Sequence, residues 1–206
     1  MNFDALREIS ILKELRHPNI INIQEVLYNR NNLFLSYDYI EYDLVKLIYD
    51  EKSILSESII KGIFLQILQG MNEIHRFGVL HRDMKPHNIL ISKAGVVKIA
   101  DFGMSRFISS PDRGMTKNTV TSWYRAPELF FGANYYSFSI DMWSAGCILG
   151  ELIQQKPLFS GNTDIDILKS IFLMLGVANV NSFKSYSSPI IGQMLMNSQI
   201  MYPLSK

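Results

Sequence analysis

Residues 80–103, LHRDMKPHNILISKAGVVKIADFG, decide the reading of this chain. Two β-prone runs, residues 89–92 and 96–100, flank a turn at Gly95, so the stretch is expected to fold back on itself as a hairpin. That hairpin carries Asp101 back beside Asn88, while Asp83 lies five residues before Asn88 in a polar loop. Carboxylate and amide oxygens gathered in this way suit a hard cation such as Mg²⁺. Lys85 stands where it can meet a phosphate.

His81-Arg82-Asp83 or Asp101-Phe102-Gly103 alone would be an ordinary loop tripeptide. Both occur here in order, with Lys85 and Asn88 between them and Ala126-Pro127-Glu128 after them. Together they resemble the catalytic loop and metal-binding motif of eukaryotic protein kinases. The resemblance implies ATP and Mg²⁺ as cofactors. Asp83 would accept or orient the substrate hydroxyl proton, Lys85 would steady the γ-phosphate, and Asn88 and Asp101 would hold Mg²⁺.

Composition bounds the rest. A chain of 206 residues, 48% hydrophobic and 19% charged, can bury the core of one globular unit. A net charge of +1 gives no strong pull toward nucleic acid or anionic membrane. The single Cys147 has no internal disulfide partner, which favours a reducing compartment, nucleus or cytoplasm, and its apolar surroundings favour packing over reactivity. No apolar run reaches the length of a membrane span, and the charged start, MNFDALREIS, is unlike a signal peptide.

Residues 3–16, FDALREISILKELR, place Phe3, Leu6, Ile9, Leu12 and Leu15 on one helical stripe that ends at His17-Pro18. The string resembles the helix that cyclin-dependent kinases present to a cyclin, so residues 3–16 are the expected cyclin contact. Glu8 is then expected to pair with a lysine on a preceding strand; its alternative is a solvated helix-face charge. The chain begins at this helix, with neither that lysine nor a glycine-rich loop ahead of it. Both a fragment of a longer protein and a truncated relative remain open, and the 206 residues alone are expected to be inactive and poorly soluble.

Residues 25–28 and 33–39 read as two strands around the turn at 29–32, leading into a hinge. By resemblance, Tyr37 borders the back of an adenine pocket, the backbone of Asp38, Tyr39 and Ile40 meets adenine, and Leu90 forms its floor. Asp43 stands where the family contacts ribose, or is a plain surface acid. A second amphipathic helix is expected over 56–76, capped by Ser56, with Ile60, Ile63, Phe64, Ile67, Met71 and Ile74 inward.

The polar stretch after Gly103 has no period and resembles an activation segment. Thr116 takes the place of the activating phosphothreonine, with Arg7, Arg82 and Arg106 as its clamp. Ser110-Pro111 is a second phosphosite or a simple turn. Thr121 would bridge Asp83 and Lys85, and Val120 and Arg125 would shape a site for the proline that follows a target Ser or Thr. Further helices are expected over 139–153, with Asp141 buried beneath the catalytic loop, and over 164–175, stopped at Gly176.

The expected fold is α+β: a partial protein kinase domain over residues 1–206, with a small-lobe remnant at 1–40 and a mostly helical, truncated large lobe at 41–206. The stretches SSPDRGMT and NTDIDILKSIFLMLG most resemble the cyclin-dependent kinase-activating kinase, with Ser122 departing from an arginine usual there. The implied activity is transfer of phosphate to Ser/Thr-Pro sites under cyclin control. The alternative is a kinase-like protein that binds a cyclin or substrate without turnover.

Overall fold

Helix α1 (Phe3–Glu14) buries Ile9, Ile11 and Leu12, with Leu15 just past its end. The expected stripe is corrected at two positions: Leu6 is 36% exposed, and Ile11 is inward at 1%. Burial fades toward the start of the helix, because only its second half lies over the core. The computed structural model describes residues 3–30, 32–50, 55–108, 122–133 and 137–176, with the side chains of Phe3 and Asp4 left aside. Thr116, Thr121, Val120, Ser110 and Pro111 lie outside the described residues.

Strands β1 (Ile23–Asn29) and β2 (Asn32–Tyr37) form an antiparallel hairpin. The strand expected to run to Tyr39 stops at Tyr37, since Ile23 opposite Tyr37 is the last partner in the ladder. Asp38, Tyr39 and Ile40 are therefore a connector. Strand β3 (Tyr42–Asp43) follows, then helix α2 (Leu44–Tyr49), which periodicity over six residues did not reveal. Its signals are Asp43, whose Oδ1 accepts from the Lys46 amide at 2.8 Å, and the buried i, i+4 pair Leu44 and Ile48.

Helix α3 (Glu57–Arg76) starts at Ser56, whose hydroxyl accepts from the Ile59 amide, and buries Ile63, Ile67, Met71 and Ile74. Ile60 and Phe64 are partly buried against the same core. After it come β4 (Val79–Leu80), β5 (Ile89–Ile91), β6 (Val97–Ile99) and β7 (Arg106–Phe107). The sheet order is β3-β5-β6, and β4 pairs with β7. Helices α4 (Pro127–Phe130), α5 (Ser139–Gln154) and α6 (Asp164–Leu175) complete the described chain, with α6 ending at Gly176 in a positive φ of 85°.

The turn after α1 is stitched into this body. Asn19 is 4% exposed and donates through Nδ2 to Val97 O at 2.8 Å and to Gln66 Oε1 at 3.1 Å. Ile99 N donates to Asn19 O and Ile21 N to Ile99 O, each at 2.9 Å. Gly70 on α3 allows this close passage: a Cβ there would lie 2.8 Å from Asn19 O. Cys147 is packed in α5, and burial, then the nearby charge of Glu151, pushes its thiol up to about 12. No helix among the described residues is long and apolar enough to cross a membrane.

Candidate active site

The expected β5–β6 hairpin forms, with Ile89 opposite Ile99 and Leu90 opposite Lys98. Ala100 N then donates to Asn88 O at 2.8 Å, which sets Asp101 directly beside Asn88. On the other side of Asn88, its Nδ2 donates to Asp83 O at 2.8 Å and to Asp83 Oδ2 at 3.1 Å. Lys85 Nζ meets the same Oδ2 at 2.7 Å. The Asp83 carboxylate is thus held by an ammonium and an amide, and the Asn88 amide is turned so that its nitrogen faces Asp83.

His81 fixes the loop from beneath. Its Nδ1 accepts from the Asp83 amide at 3.3 Å, and Nε2 lies 3.1 Å from Ala100 O. A backbone amide can only donate, so Nδ1 is the acceptor and Nε2 carries the proton toward the carbonyl. Burial lowers the pKa of His81, against the raising influence of Asp141 and of Ala100, and keeps the ring neutral. The ring meets Phe102 edge-on, with centroids 4.9 Å apart.

Asp141, 1% exposed, anchors the loop to α5. Its Oδ2 accepts from His81 N and lies 2.9 Å from His75 Nε2, while Oδ1 accepts from Arg82 N at 2.8 Å. Burial pushes this carboxyl upward, but the hydrogen bonds from His75 and the two amides outweigh it and leave the pKa below the usual value. Arg82 and Asp101 hold positive φ of 72° and 62°, conformations that cost a non-glycine residue about 1–3 kcal/mol. The hydrogen bond that the Arg82 amide donates to Asp141 holds the first of them in place.

The residues expected around adenine differ in burial. Tyr37 is half-buried at the end of β2, and Ile40 and Leu90 pack against the core, whereas the Tyr39 side chain is 88% exposed. Asp38 is gripped by Lys98 at 3.9 Å and by Gln24. Asp43 carries out the capping of α2 already described, a structural task that the sequence reading did not assign. β3 pairs Asp43 with Leu90, so these two expected ligand contacts are neighbours.

Glu8 receives a hydrogen bond from the phenol of Tyr37 at 2.8 Å, a partner not expected for it. Burial raises the Glu8 pKa; the bond from Tyr37 opposes this and the charge of Asp101 adds to it. Of the expected arginine clamp, Arg106 stands opposite Leu80 in the β4–β7 pair, two residues from Arg82, and Arg7 is on α1.

Asn88 and Asp101 supply hard oxygen donors, which fit Mg²⁺. Among the described residues no group of three or more His, Cys, Asp or Glu could hold a metal ion alone. A two-residue set matches Mg²⁺, which keeps waters and substrate phosphates as its other ligands. Beside it, the Asp83 carboxylate can accept a proton and Lys85 can meet an anionic oxygen.

The Protein kinase domain family matches residues 1–198. Cyclin-dependent kinase 7 of Caenorhabditis elegans is 47% identical over 176 residues, which are 85% of this chain and 53% of that protein. Cyclin-dependent kinase 7 of Xenopus laevis is 43% identical over 188 residues, 91% and 53% of the two chains. The chain therefore spans about half the length of the curated relatives it matches. Among solved structures, the yeast RNA Pol II CTD kinase CTDK-1 complex aligns over 100% of this chain and 72% of its own, with a TM-score of 0.84 and 32% identity. The α+β arrangement is that of a partial kinase domain, as the motifs implied. The chain belongs to the protein kinase family, and within it resembles the cyclin-dependent kinases.

Proposed function

We propose that the protein is a Ser/Thr kinase that moves the γ-phosphate of ATP, with Mg²⁺, to a Ser or Thr followed by proline, under control of a cyclin. The observation that carries this is the convergence of Lys85 and Asn88 on the Asp83 carboxylate, with Asp101 delivered beside Asn88 by the β5–β6 hairpin. In this reading Asp83 takes the hydroxyl proton, Lys85 steadies the γ-phosphate, and Asn88 and Asp101 hold Mg²⁺, which neutralises phosphate charge when bound. Thr121 completes the link between Asp83 and Lys85. The backbone of Asp38, Tyr39 and Ile40 receives adenine, with Tyr37 behind it, Leu90 below and Asp43 toward the ribose.

The partner is a cyclin on residues 3–16, a reading supported by the exposed Leu6 on α1 and by the relatives' cyclin-dependent character. Phosphorylation of Thr116, met by Arg7, Arg82 and Arg106, raises activity, and the protein works in the nucleus or cytoplasm. The test is transfer of label from ATP to a Ser-Pro peptide by the protein purified with its cyclin. Asp83→Asn is expected to lose about 10²-fold or more. Label transfer undiminished in Asp83→Asn overturns the reading, and so does the absence of any transfer by the full-length protein purified from its source with its cyclin.

A further inference from the structure

Glu8 and Tyr37 are 29 residues apart in sequence, on helix α1 and at the end of β2. Their hydrogen bond falls in the half of α1 where apolar burial fades, between Leu6, 36% exposed, and Ile9, 8% exposed. The carboxyl spans two directions. Oε1 takes the Tyr37 hydroxyl, and Oε2 looks to the Asp101-Phe102-Gly103 turn, where a Cβ on Gly103 would stand 3.9 Å from it and 3.3 Å from Asp101 Oδ1. Tyr37 itself is braced, since its ring packs against the main hydrophobic cluster. A phenol can donate to a carboxylate, and such a charge-assisted bond is roughly twice as strong as a neutral one.

We propose that Tyr37 is a positioning residue, whose hydroxyl holds Glu8, and with it the first half of α1, against the Asp101-Phe102-Gly103 turn. A phenylalanine would fill the same space and lack the tether. The tether makes the back wall of the nucleotide side and the proposed cyclin-facing helix one mechanical unit. A shift of the Tyr37 ring moves Glu8, and a displacement of α1 pulls on the ring beside the adenine connector. This functional meaning rests on the kinase reading above, but the tether itself does not.

The test is a double-mutant cycle of Tyr37→Phe and Glu8→Ala, read by amide hydrogen exchange of α1, with α3 as internal reference. Each single variant is expected to speed α1 exchange about tenfold, and the double variant to add little beyond either one. Unchanged singles, or effects that simply add in the double variant, overturn the proposal. If Tyr37→Phe fails to fold, the phenol titration of Glu8→Ala decides. The Tyr37 phenol, pushed up by burial and then by Glu8, falls back toward the ordinary tyrosine range if the tether holds, and an unmoved titration overturns it. None of these readouts requires phosphoryl transfer, so an inactive preparation leaves the outcome legible.

Discussion

The phenol of Tyr124 donates to Glu151 Oε2 at 2.6 Å, while Tyr49 donates to Oε1 of the same carboxylate at 2.5 Å. Glu151 is 1% exposed, so one buried acid clasps α2, α5 and the turn at residues 122–124. The turn has further fasteners: Ser144 Oγ donates to Tyr124 O at 2.7 Å, and Trp123 Nε1 to Gly161 O at 3.1 Å. The turn is thereby fastened both to α5 and to the backbone at Gly161.

Removing one phenol leaves a carboxylate oxygen without its donor. Tyr124→Phe is expected to lower the unfolding free energy by about 1–3 kcal/mol. Tyr49→Phe should cost less, because Tyr49 is 45% exposed and water can take its place. Urea unfolding of the two variants checks the order, and a larger loss for Tyr49→Phe would contradict it.

Acid should loosen the catalytic loop in two stages. The pKa of His81 is lowered in the fold, so the unfolded chain binds the proton more readily; its contribution is complete above about 6.5 and declines as pH falls below that. The pKa of Asp141 is also lowered, so its contribution is intact above about 3.9 and declines as pH falls toward the folded value. Stability measured against pH should show both limbs. In Asp141→Asn the lower limb should flatten, at a cost to stability at neutral pH.

Two glycines of helix α3 should respond in opposite directions to alanine. At Gly62 a Cβ meets nothing within 4 Å, so Gly62→Ala should stabilise by about 0.5–1 kcal/mol through helix propensity. At Gly70 it would lie 2.8 Å from Asn19 O and 2.9 Å from Ile99 Cδ1, so Gly70→Ala should destabilise by about 1–3 kcal/mol. Thermal or urea unfolding of the pair settles both signs.

Asp101→Asn tests the cation reading apart from turnover. Nucleotide affinity of the wild type should rise on adding Mg²⁺, and that gain should shrink about tenfold or more in the variant. Affinity without Mg²⁺ should change far less. An equal Mg²⁺ response in both proteins would remove Asp101 from the metal site.

Much of this architecture was legible from local pattern. The stripe of α3, the cap at Ser56 and the β5–β6 hairpin each follow from spacing within about twenty residues or fewer. Helix α2 escaped because six residues are too few for a period, and its cap, Asp43, reads equally well as a ligand contact. The partner of Glu8 escaped for another reason: periodicity carries no information about a contact made 29 residues away. At the catalytic loop, the motif named Asp83, Lys85, Asn88 and Asp101 but said nothing of how they grip one another. That, among the described residues, the Asp83 side chain is gripped by Lys85 and Asn88 is a property of the folded loop.

The stitch at Asn19 bears on how the chain could be taken apart. A cut after residue 40 would fall between the turn at 19–21 and its partners Gln66, Val97 and Ile99. Neither piece would keep a closed surface, since Ile20 and Ile21 would be stripped of cover and the edge of β6 laid bare. Such halves should behave as complementing fragments, unfolded or aggregated apart and restored to a common fold on mixing.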